Sequence, residues 1–314
     1  MLLEFKEIKK TIKYFHSPKK YYKNIELCGL WTDFIAKFIA DRMHLDCKRG
    51  TVISFSASSL PILVKYKKTQ YKIFYTRENT HVQESYWQQF ENLWLKEPSL
   101  SLICGFDYAE HPKYIRFPFW LERLFGPMAT QKDIADFVKL HNLSNPSNRT
   151  KDCAFICKRD YFGDRAQMAD WVEQIMPINY PSDFCHNDDD MREKYGDDKI
   201  EYLRQFRFNL CPENSNNKGY VTEKIFEAIK ADCVPVYWGN EGYPEPDILN
   251  PKAIIYLDKD KPEEGLALLR RLYDDPKAYA EFASQKRFLP GAEQKIYAYY
   301  ERLEEKLRDV LGSE

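Results

Sequence analysis

Short apolar runs alternate with amphipathic segments along the first half of the chain. In segment 31–45, apolar side chains recur at the three- and four-residue spacing of a buried helix face. The runs around it are short and bounded by polar residues, which is typical of strands. We predict strands at 24–28, 51–55, 71–75, 101–106 and 114–117. This order predicts a parallel sheet covered by helices.

Prolines and the polar run 141–150 interrupt this pattern, and a second α/β series follows. We therefore predict an N-terminal domain over 1–145, a second domain over 146–290 and a C-terminal helix over 291–314. Predicted strands of the second series lie at 153–157, 206–211, 234–238 and 253–257, and predicted helices at 165–175, 221–231, 263–273 and 294–311. The predicted fold class is α/β with two Rossmann-like domains, and ligands of such domains bind beyond the carboxyl ends of the strands.

The charge balance argues against a general polyanion binder. The chain carries 47 Lys and Arg against 48 Asp and Glu, whereas nucleic-acid binding usually needs a basic excess. The apolar content of 44% supports buried cores and excludes wholesale disorder.

Neither a G-x-G-x-x-G nor a Walker sequence occurs. Phosphate binding must therefore rely on a helix N-terminus and basic side chains.

Cysteine spacing and hydropathy predict a cytoplasmic protein. The eight cysteines show neither zinc-knuckle nor C-x-x-C spacing, so we expect reduced thiols. No apolar run approaches the length of a membrane span. The lysine-rich segment 6–23 is interpreted as a solvated basic arm. The alternative is a weak contact with an anionic membrane surface, which would make the protein peripheral to the inner membrane.

Segment 206–240 carries the most specific chemistry. It predicts a strand, a polar loop, a helix and a strand, with Glu223 and Lys224 in the first turn of the helix. A carboxylate such as Glu223 complements the positive helix start, whereas Lys224 opposes it. Lys224 is explained either as a solvated lysine or by an anion at the helix start, for which a diphosphate is the natural candidate.

This segment resembles the donor-binding motif of the GDP-fucose-dependent α-1,3-fucosyltransferases, the Lewis-type glycosyltransferase family 10. The family motif reads Phe-x-Leu-x-x-Glu-Asn, a loop, Tyr-x-Thr-Glu-Lys and a strand with Pro-Val/Ile-x-x-Gly. The matching residues are Phe208, Leu210, Glu213, Asn214, Tyr220, Thr222, Glu223, Lys224, Pro235, Val236 and Gly239. The resemblance extends over most of residues 70–260.

The resemblance implies a GT-B fold, in which two Rossmann-like domains face each other across a cleft and the C-terminal domain binds GDP-fucose. It implies that Lys224 contacts the donor phosphate and that Glu223 meets the sugar or the ribose. It also implies that Asn214 and Tyr220 line the donor pocket.

Carried upstream, the family pattern places a basic residue on the first helix of the donor domain, against the pyrophosphate. That position corresponds to Arg165, and a bidentate arginine suits a diphosphate. The alternative is a surface arginine that pairs with Asp164 or Asp170.

Acidic residues follow two predicted strands of the N-terminal domain. Glu78 lies on the loop that follows the strand 71–75, at the strand's carboxyl end, where a carboxylate faces the cleft. Bacterial members of the family carry a similar Phe-Tyr-Thr-x-Glu-Asn run, and this resemblance implies that Glu78 is the general base. A weaker match at 105–118 implies that Asp107 or Glu110 contacts acceptor hydroxyls, with Glu110 as the alternative base.

Segment 183–191 departs from the family pattern, in which some members carry Ser-Gly-Gly, so nucleotide contacts from this stretch are not expected to follow the family. Its Asp188-x-Asp190 pair could hold a metal ion on a diphosphate, but adjacent carboxylates are more often a solvated loop. Because Arg165 and Lys224 already supply positive charge, we expect no required metal. Mn²⁺ or Mg²⁺ could still stimulate the reaction.

These features lead to one functional hypothesis and two rivals. The hypothesis is inverting transfer of L-fucose from GDP-β-L-fucose to N-acetylglucosamine or glucose in an N-acetyllactosamine-type acceptor, with α-1,3 or α-1,4 linkage, as in Lewis antigen and lipopolysaccharide synthesis. One rival is a GT-B transferase that uses another nucleotide sugar. The other is a non-catalytic glycan-binding protein on the same scaffold. No nucleic-acid partner is expected.

Overall fold

Two separate β-sheets divide the structure into two units. The structure is a computed structural model that describes residues 20–28, 33–45, 50–54, 71–79, 81, 100–143 and 149–312. One unit falls within Met1–Thr130 and Tyr297–Glu314, and the other within Gln131–Ile296. The division therefore lies before residue 145. Helix 131–142 belongs to the second unit. The Oδ1 of Asn142, at its end, accepts a hydrogen bond from the amide of Phe288 in that unit at 2.9 Å.

The first unit is built on a six-stranded sheet in the order β1-β2-β3-β4-β5-β6. Its first pair is antiparallel and all other pairs are parallel. The strands are β1 (Lys20–Tyr22), β2 (Ile25–Cys28), β3 (Gly50–Ser54), β4 (Tyr71–Tyr75), β5 (Leu102–Gly105) and β6 (Tyr114–Arg116), and the helices are α1 (Asp33–Lys37), continued by a π-helical turn (Phe38–Arg42), and α2 (Phe119–Phe125). The predicted strands of this series are confirmed, whereas the edge strand β1 and helix α2 were not predicted.

Aromatic packing closes the core of the first unit. The Tyr300 ring, on the C-terminal helix, lies 6.1 Å from the ring of Phe38 and 5.5 Å from that of Phe117. Its hydroxyl donates to the carbonyls of Leu121 at 3.2 Å and Gly126 at 3.0 Å. The end of the C-terminal helix is thus part of this unit's core.

The second unit is built on five parallel strands in the order β11-β10-β9-β7-β8. The strands are β7 (Lys151–Ala154), β8 (Ile178–Asn179), β9 (Phe206–Leu210), β10 (Val234–Tyr237) and β11 (Ile255–Tyr256). The helices are α3 (Gln131–Asn142), α4 (Asp164–Glu173), α5 (Asp190–Glu193), α6 (Lys199–Leu203), α7 (Glu223–Lys230), α8 (Glu263–Asp274), α9 (Pro276–Ala283) and α10 (Ala292–Leu311), with a 3₁₀ turn at Pro251–Ala253. Helix α10 continues into the first unit.

The strand order of this sheet reverses between β7 and β9, which are neighbours although β8 separates them in sequence. Such a reversal is the topological switch point of an open α/β sheet. The predicted fold class, two Rossmann-like α/β units of the GT-B type, is confirmed. Among the described residues, no helix has both the length and the apolar character needed to cross a membrane. Most of the basic segment 6–23 lies outside the described residues.

Gly265 lets α8 approach β11 closely. A Cβ atom at this position would lie 2.4 Å from the carbonyl oxygen of Tyr256 and 3.0 Å from Leu257 Cδ2.

We predict that Gly265→Ala lowers the free energy of unfolding by about 1–3 kcal/mol through overpacking, although alanine is the better helix former. Urea denaturation measures the change. The control Glu264→Ala, exposed on the same helix, should change stability by less than about 0.5 kcal/mol. An unchanged or raised stability of Gly265→Ala would contradict this packing.

Candidate functional site

The switch point of the second sheet brings together two loops that carry predicted site residues. After β7 the chain runs through 155–163 into α4, and after β9 it runs through 211–222 into α7. Because β7 and β9 are parallel neighbours, both loops leave the same edge of the sheet. Ligands of open α/β sheets bind in the crevice at this edge.

The side chain of Arg165 joins these two loops. Its Nε donates to the carbonyl of Glu213 at 3.2 Å, and its Nη1 donates to the carbonyl of Arg159 at 2.8 Å. Among the described residues, no carboxylate forms an ion pair with Arg165, and Asp164 pairs instead with Lys259. The alternative was a surface arginine paired with Asp164 or Asp170, and neither ion pair is seen among the described residues. The contacts of the guanidinium within the described residues are to neutral acceptors, the two carbonyls and the Sγ of Cys157 at 3.5 Å, so its charge is left uncompensated there.

The carboxylate of Glu213 is fully buried and fixes the start of α7. Its Oε1 accepts from the Thr222 amide at 2.7 Å, and its Oε2 accepts from the Thr222 hydroxyl at 2.7 Å. Thr222 has an extended backbone, so α7 begins at Glu223 rather than at 221 as predicted. Glu213 thus anchors the residue that precedes α7, and its negative charge lies near the helix start, where it complements the helix dipole.

The same carboxylate holds Lys224. The Lys224 Nζ donates to Glu213 Oε2 at 2.9 Å and to Thr222 Oγ1 at 2.7 Å. Burial alone would lower the pKa of Lys224, but the charges of Glu213 and Glu223 outweigh burial and raise it. The sequence predicts an anion beside Lys224 at this helix start. In the structure, the carboxylate of Glu213 is such an anion. About a quarter of the Lys224 side chain, 24%, remains exposed to solvent.

Glu223 and Arg165 complete the charge pattern around Lys224. Burial would raise the pKa of Glu223, but Lys224, its own backbone amide and Lys199 together hold it below the usual range. The positive charge of Arg165 acts on Lys224 and opposes the rise of its pKa. Both cations also contact Glu213, Arg165 at its carbonyl and Lys224 at its carboxylate, so the two side chains belong to one hydrogen-bonded cluster.

Neighbouring residues shape the loop between β9 and α7. The Asn240 Oδ1 accepts from the Gly219 amide at 2.6 Å, which anchors the loop to the end of β10. A Cβ atom at Gly239 would lie 2.7 Å from Glu213 Cγ, so only glycine allows this approach. Within this loop, Tyr220 is buried and Asn214 is half-buried. The structure places these motif residues in one loop, and the donor roles of Asn214 and Tyr220 remain predictions.

The aspartate-rich segment 183–191 has partners within the chain. Asp188 is buried, and its Oδ2 accepts from Asn179 Nδ2 at 2.6 Å and from the Tyr202 hydroxyl at 2.8 Å. Lys151 pairs with Asp188 at 3.5 Å and with Asp190 at 3.0 Å. Within the part of the chain that the structure describes, no group of three His, Cys, Asp or Glu side chains is arranged to hold a metal ion.

The predicted acceptor-side residues lie at the carboxyl edge of the first sheet. Glu78 and Asp107 follow β4 and β5, which are parallel neighbours. Glu78 is exposed, and its amide donates to Thr76 Oγ1 at 3.1 Å, which fixes the turn. Glu110 is exposed on the loop between β5 and β6. The catalytic and acceptor roles of the three carboxylates remain predictions.

Two side chains near Glu78 were not predicted. His81 Nε2 lies 2.6 Å from Asp107 Oδ1, which ties the loops after β4 and β5 together. Arg77 forms an ion pair with Glu122 and stacks on the ring of Phe119 at 4.9 Å. These contacts hold both flanks of the turn that presents Glu78. Their partners lie on other elements, so no local sequence pattern could indicate them.

Comparison with known proteins places the second unit within one family. Residues 146–302, half of the chain, match the family model "Glycosyltransferase family 10 (fucosyltransferase) C-term". The chain is 25% identical over 243 residues to an alpha-(1,3)-fucosyltransferase of Helicobacter pylori, an alignment that covers 67% of this chain and 46% of the relative. It is 35% identical over 86 residues to an alpha-(1,4)-fucosyltransferase of Arabidopsis thaliana, which covers 27% and 21% of the two chains. The chain thus spans less than half the length of these relatives.

Solved structures share the fold. The chain superimposes on a crystal structure of an alpha1,3-fucosyltransferase with a TM-score of 0.56 and 19% identity, which covers 83% of this chain and 79% of the other. A crystal structure of an alpha1,3-fucosyltransferase with GDP-fucose gives a TM-score of 0.51 at 20% identity, covering 81% and 78%. At such identity, these matches support the fold.

The contact between Glu213 and Lys224 generates a stability prediction. We predict that Glu213→Gln lowers the free energy of unfolding by about 2–4 kcal/mol, because the buried site loses its charge and two acceptor bonds. In a double-mutant cycle with Lys224→Met, the coupling energy should be about 1–3 kcal/mol. Urea denaturation of the four proteins measures it.

The exposed pair Lys132 and Asp136, also joined by an ion pair, is the matched control. Its coupling energy should be below about 0.5 kcal/mol, since solvent screens both charges. Equal coupling energies for the two pairs would contradict the role assigned to Glu213.

Proposed function

Because this chain belongs to glycosyltransferase family 10, the fucosyltransferases, we propose that it transfers L-fucose from GDP-fucose to a hydroxyl group of a sugar acceptor. The observation that carries this proposal is the pair of cations at the switch point of the second sheet. Arg165 bonds neutral acceptors and Lys224 is partly exposed. A diphosphate has the charge and the size to bind between two such side chains.

In the proposed donor complex, each site residue has one role. Arg165 and Lys224 bind the diphosphate oxygens, with help from the start of α7. Glu223, whose lowered pKa keeps it ionised, lies next to Lys224 and faces the fucose or the ribose. Asn214 and Tyr220 line the pocket. The related structure with bound GDP-fucose supports the choice of donor.

The proposed reaction is an inverting displacement. Glu78 takes the proton of the acceptor hydroxyl, whose oxygen attacks the anomeric carbon of fucose from the face opposite GDP. The bond between that carbon and the GDP oxygen breaks, and GDP departs with the electron pair. Arg165 and Lys224 stabilise the charge that develops on the diphosphate. Glu110 is the alternative base.

The acceptor is proposed to be N-acetylglucosamine or glucose within an N-acetyllactosamine-type glycan, with α-1,3 or α-1,4 linkage, as in Lewis antigen and lipopolysaccharide synthesis. Asp107 and Glu110 would bind acceptor hydroxyls. Assays with N-acetyllactosamine, lacto-N-biose and lactose, each with and without chelator, separate these acceptors and show whether Mn²⁺ or Mg²⁺ stimulates transfer.

We propose a cytoplasmic location, with weak membrane contact through the basic segment 6–23.

Donor binding tests the function directly. GDP-fucose should raise the melting temperature of the protein, and UDP-sugars should not, because the site is proposed for GDP. Arg165→Ala and Lys224→Met should each weaken GDP binding by about 1.5–3 kcal/mol, through loss of one charge-assisted contact. Isothermal titration calorimetry measures the binding.

Arg192→Ala, at an arginine whose side chain is 66% exposed, is the control and should leave GDP binding unchanged. Stabilisation by a UDP-sugar instead would support the rival transferase. GDP-fucose binding without transfer to any glycan would support the glycan-binding protein.

Glu78→Gln tests the proposed base. The variant should lose about 10²–10⁴ in kcat, because the amide accepts no proton at neutral pH, while its GDP affinity stays at the wild-type value. Product formation with GDP-fucose and each acceptor is the measurement. Glu301→Gln, exposed on α10, should retain full activity. If Glu78→Gln is as active as wild type and Glu110→Gln is inactive, Glu110 is the base.

A further inference from the structure

The loop between β7 and α4 exposes two adjacent aromatic side chains. Tyr161 is 68% exposed and Phe162 is 56% exposed. Removing a large aromatic ring from water lowers the free energy. Two neighbouring exposed rings therefore indicate a surface that another molecule covers. The loop follows β7 and therefore lies at the edge of the sheet where the switch point is.

Hydrogen bonds from one side chain fix this loop. Asp160 Oδ1 accepts from the amides of Phe162 at 3.3 Å and Gly163 at 3.1 Å. Asp160 Oδ2 accepts from the Ala166 amide at 2.8 Å, in the first turn of α4. Gly163 adopts a left-handed backbone with φ of 81°, which turns the chain into the helix. The exposure of the rings is thus part of a defined loop conformation.

The same loop is bonded to the proposed phosphate-binding arginine. The Arg159 carbonyl accepts from Arg165 Nη1 at 2.8 Å, and Arg159 Nη1 donates to the Tyr161 hydroxyl at 3.1 Å. One chain of hydrogen bonds therefore links Glu213, Arg165, Arg159 and the Tyr161 ring. The loop combines positive charge with flat apolar surface.

We propose that Tyr161 and Phe162 form a stacking face for the nucleobase of the donor, a role that rests on the proposed function. A nucleoside diphosphate carries an anionic group and a flat ring on one molecule, and the loop offers a partner for each. Stacking of a base on an aromatic side chain is a common source of nucleotide affinity. An acceptor sugar could also cover aromatic rings, but the predicted acceptor residues lie in the other unit.

The test measures GDP affinity by isothermal titration calorimetry. The double variant Tyr161→Ala/Phe162→Ala should bind GDP about tenfold or more weakly than wild type. The variant Tyr161→Phe/Phe162→Tyr keeps two rings and should bind within about threefold of wild type. Tyr21→Ala, at a tyrosine that is 56% exposed on the edge strand β1, is the matched control and should not change the affinity.

Three results would overturn the stacking face. The first is an unchanged GDP affinity in the double alanine variant. The second is an unchanged GDP affinity with a raised KM for the acceptor, which would assign the rings to the acceptor. The third is an equal loss in the ring-preserving variant, which would show that the loop conformation matters rather than stacking. A wild-type protein that binds no GDP would instead overturn the proposed donor.

Discussion

One buried carboxylate organises the chemistry of the second unit. Glu213 has no exposed surface, and a buried carboxylate is costly unless its oxygens are well paired. Here the pairing comes from a backbone amide, a hydroxyl and an ammonium group within one segment, Thr222 to Lys224. The carbonyl of the same residue accepts from Arg165. Both cations of the candidate donor site therefore depend on the position of Glu213.

This arrangement suits a site for a charged leaving group. Side chains that are already oriented need no rearrangement when negative charge develops, which is the main source of electrostatic catalysis. Lys224 is held by a carboxylate, and Arg165 is held by carbonyl groups that leave its charge uncompensated among the described residues. The fold provides the place, because the reversal of strand order brings β7 and β9 side by side.

Much of the fold could be predicted from hydrophobic patterns, since the strands of both sheets are short apolar runs. The pattern failed where a boundary depends on a specific contact. Helix α2 begins directly after Pro118, one of the prolines that interrupt the apolar pattern. Helix α7 begins two residues later than predicted because the amide of Thr222 donates a hydrogen bond to the carboxylate of Glu213. The pairing of His81 with Asp107 depends on two neighbouring strands, and no local spacing indicates it.

The central claim is that a donor diphosphate binds between Arg165 and Lys224 while Glu213 keeps its bonds at the start of α7. A crystal structure of the protein with GDP tests it most directly. The account predicts phosphate oxygens about 3 Å from both the guanidinium and the ammonium groups, with the carboxylate of Glu213 still accepting from Thr222. A diphosphate bound away from these two side chains would contradict it.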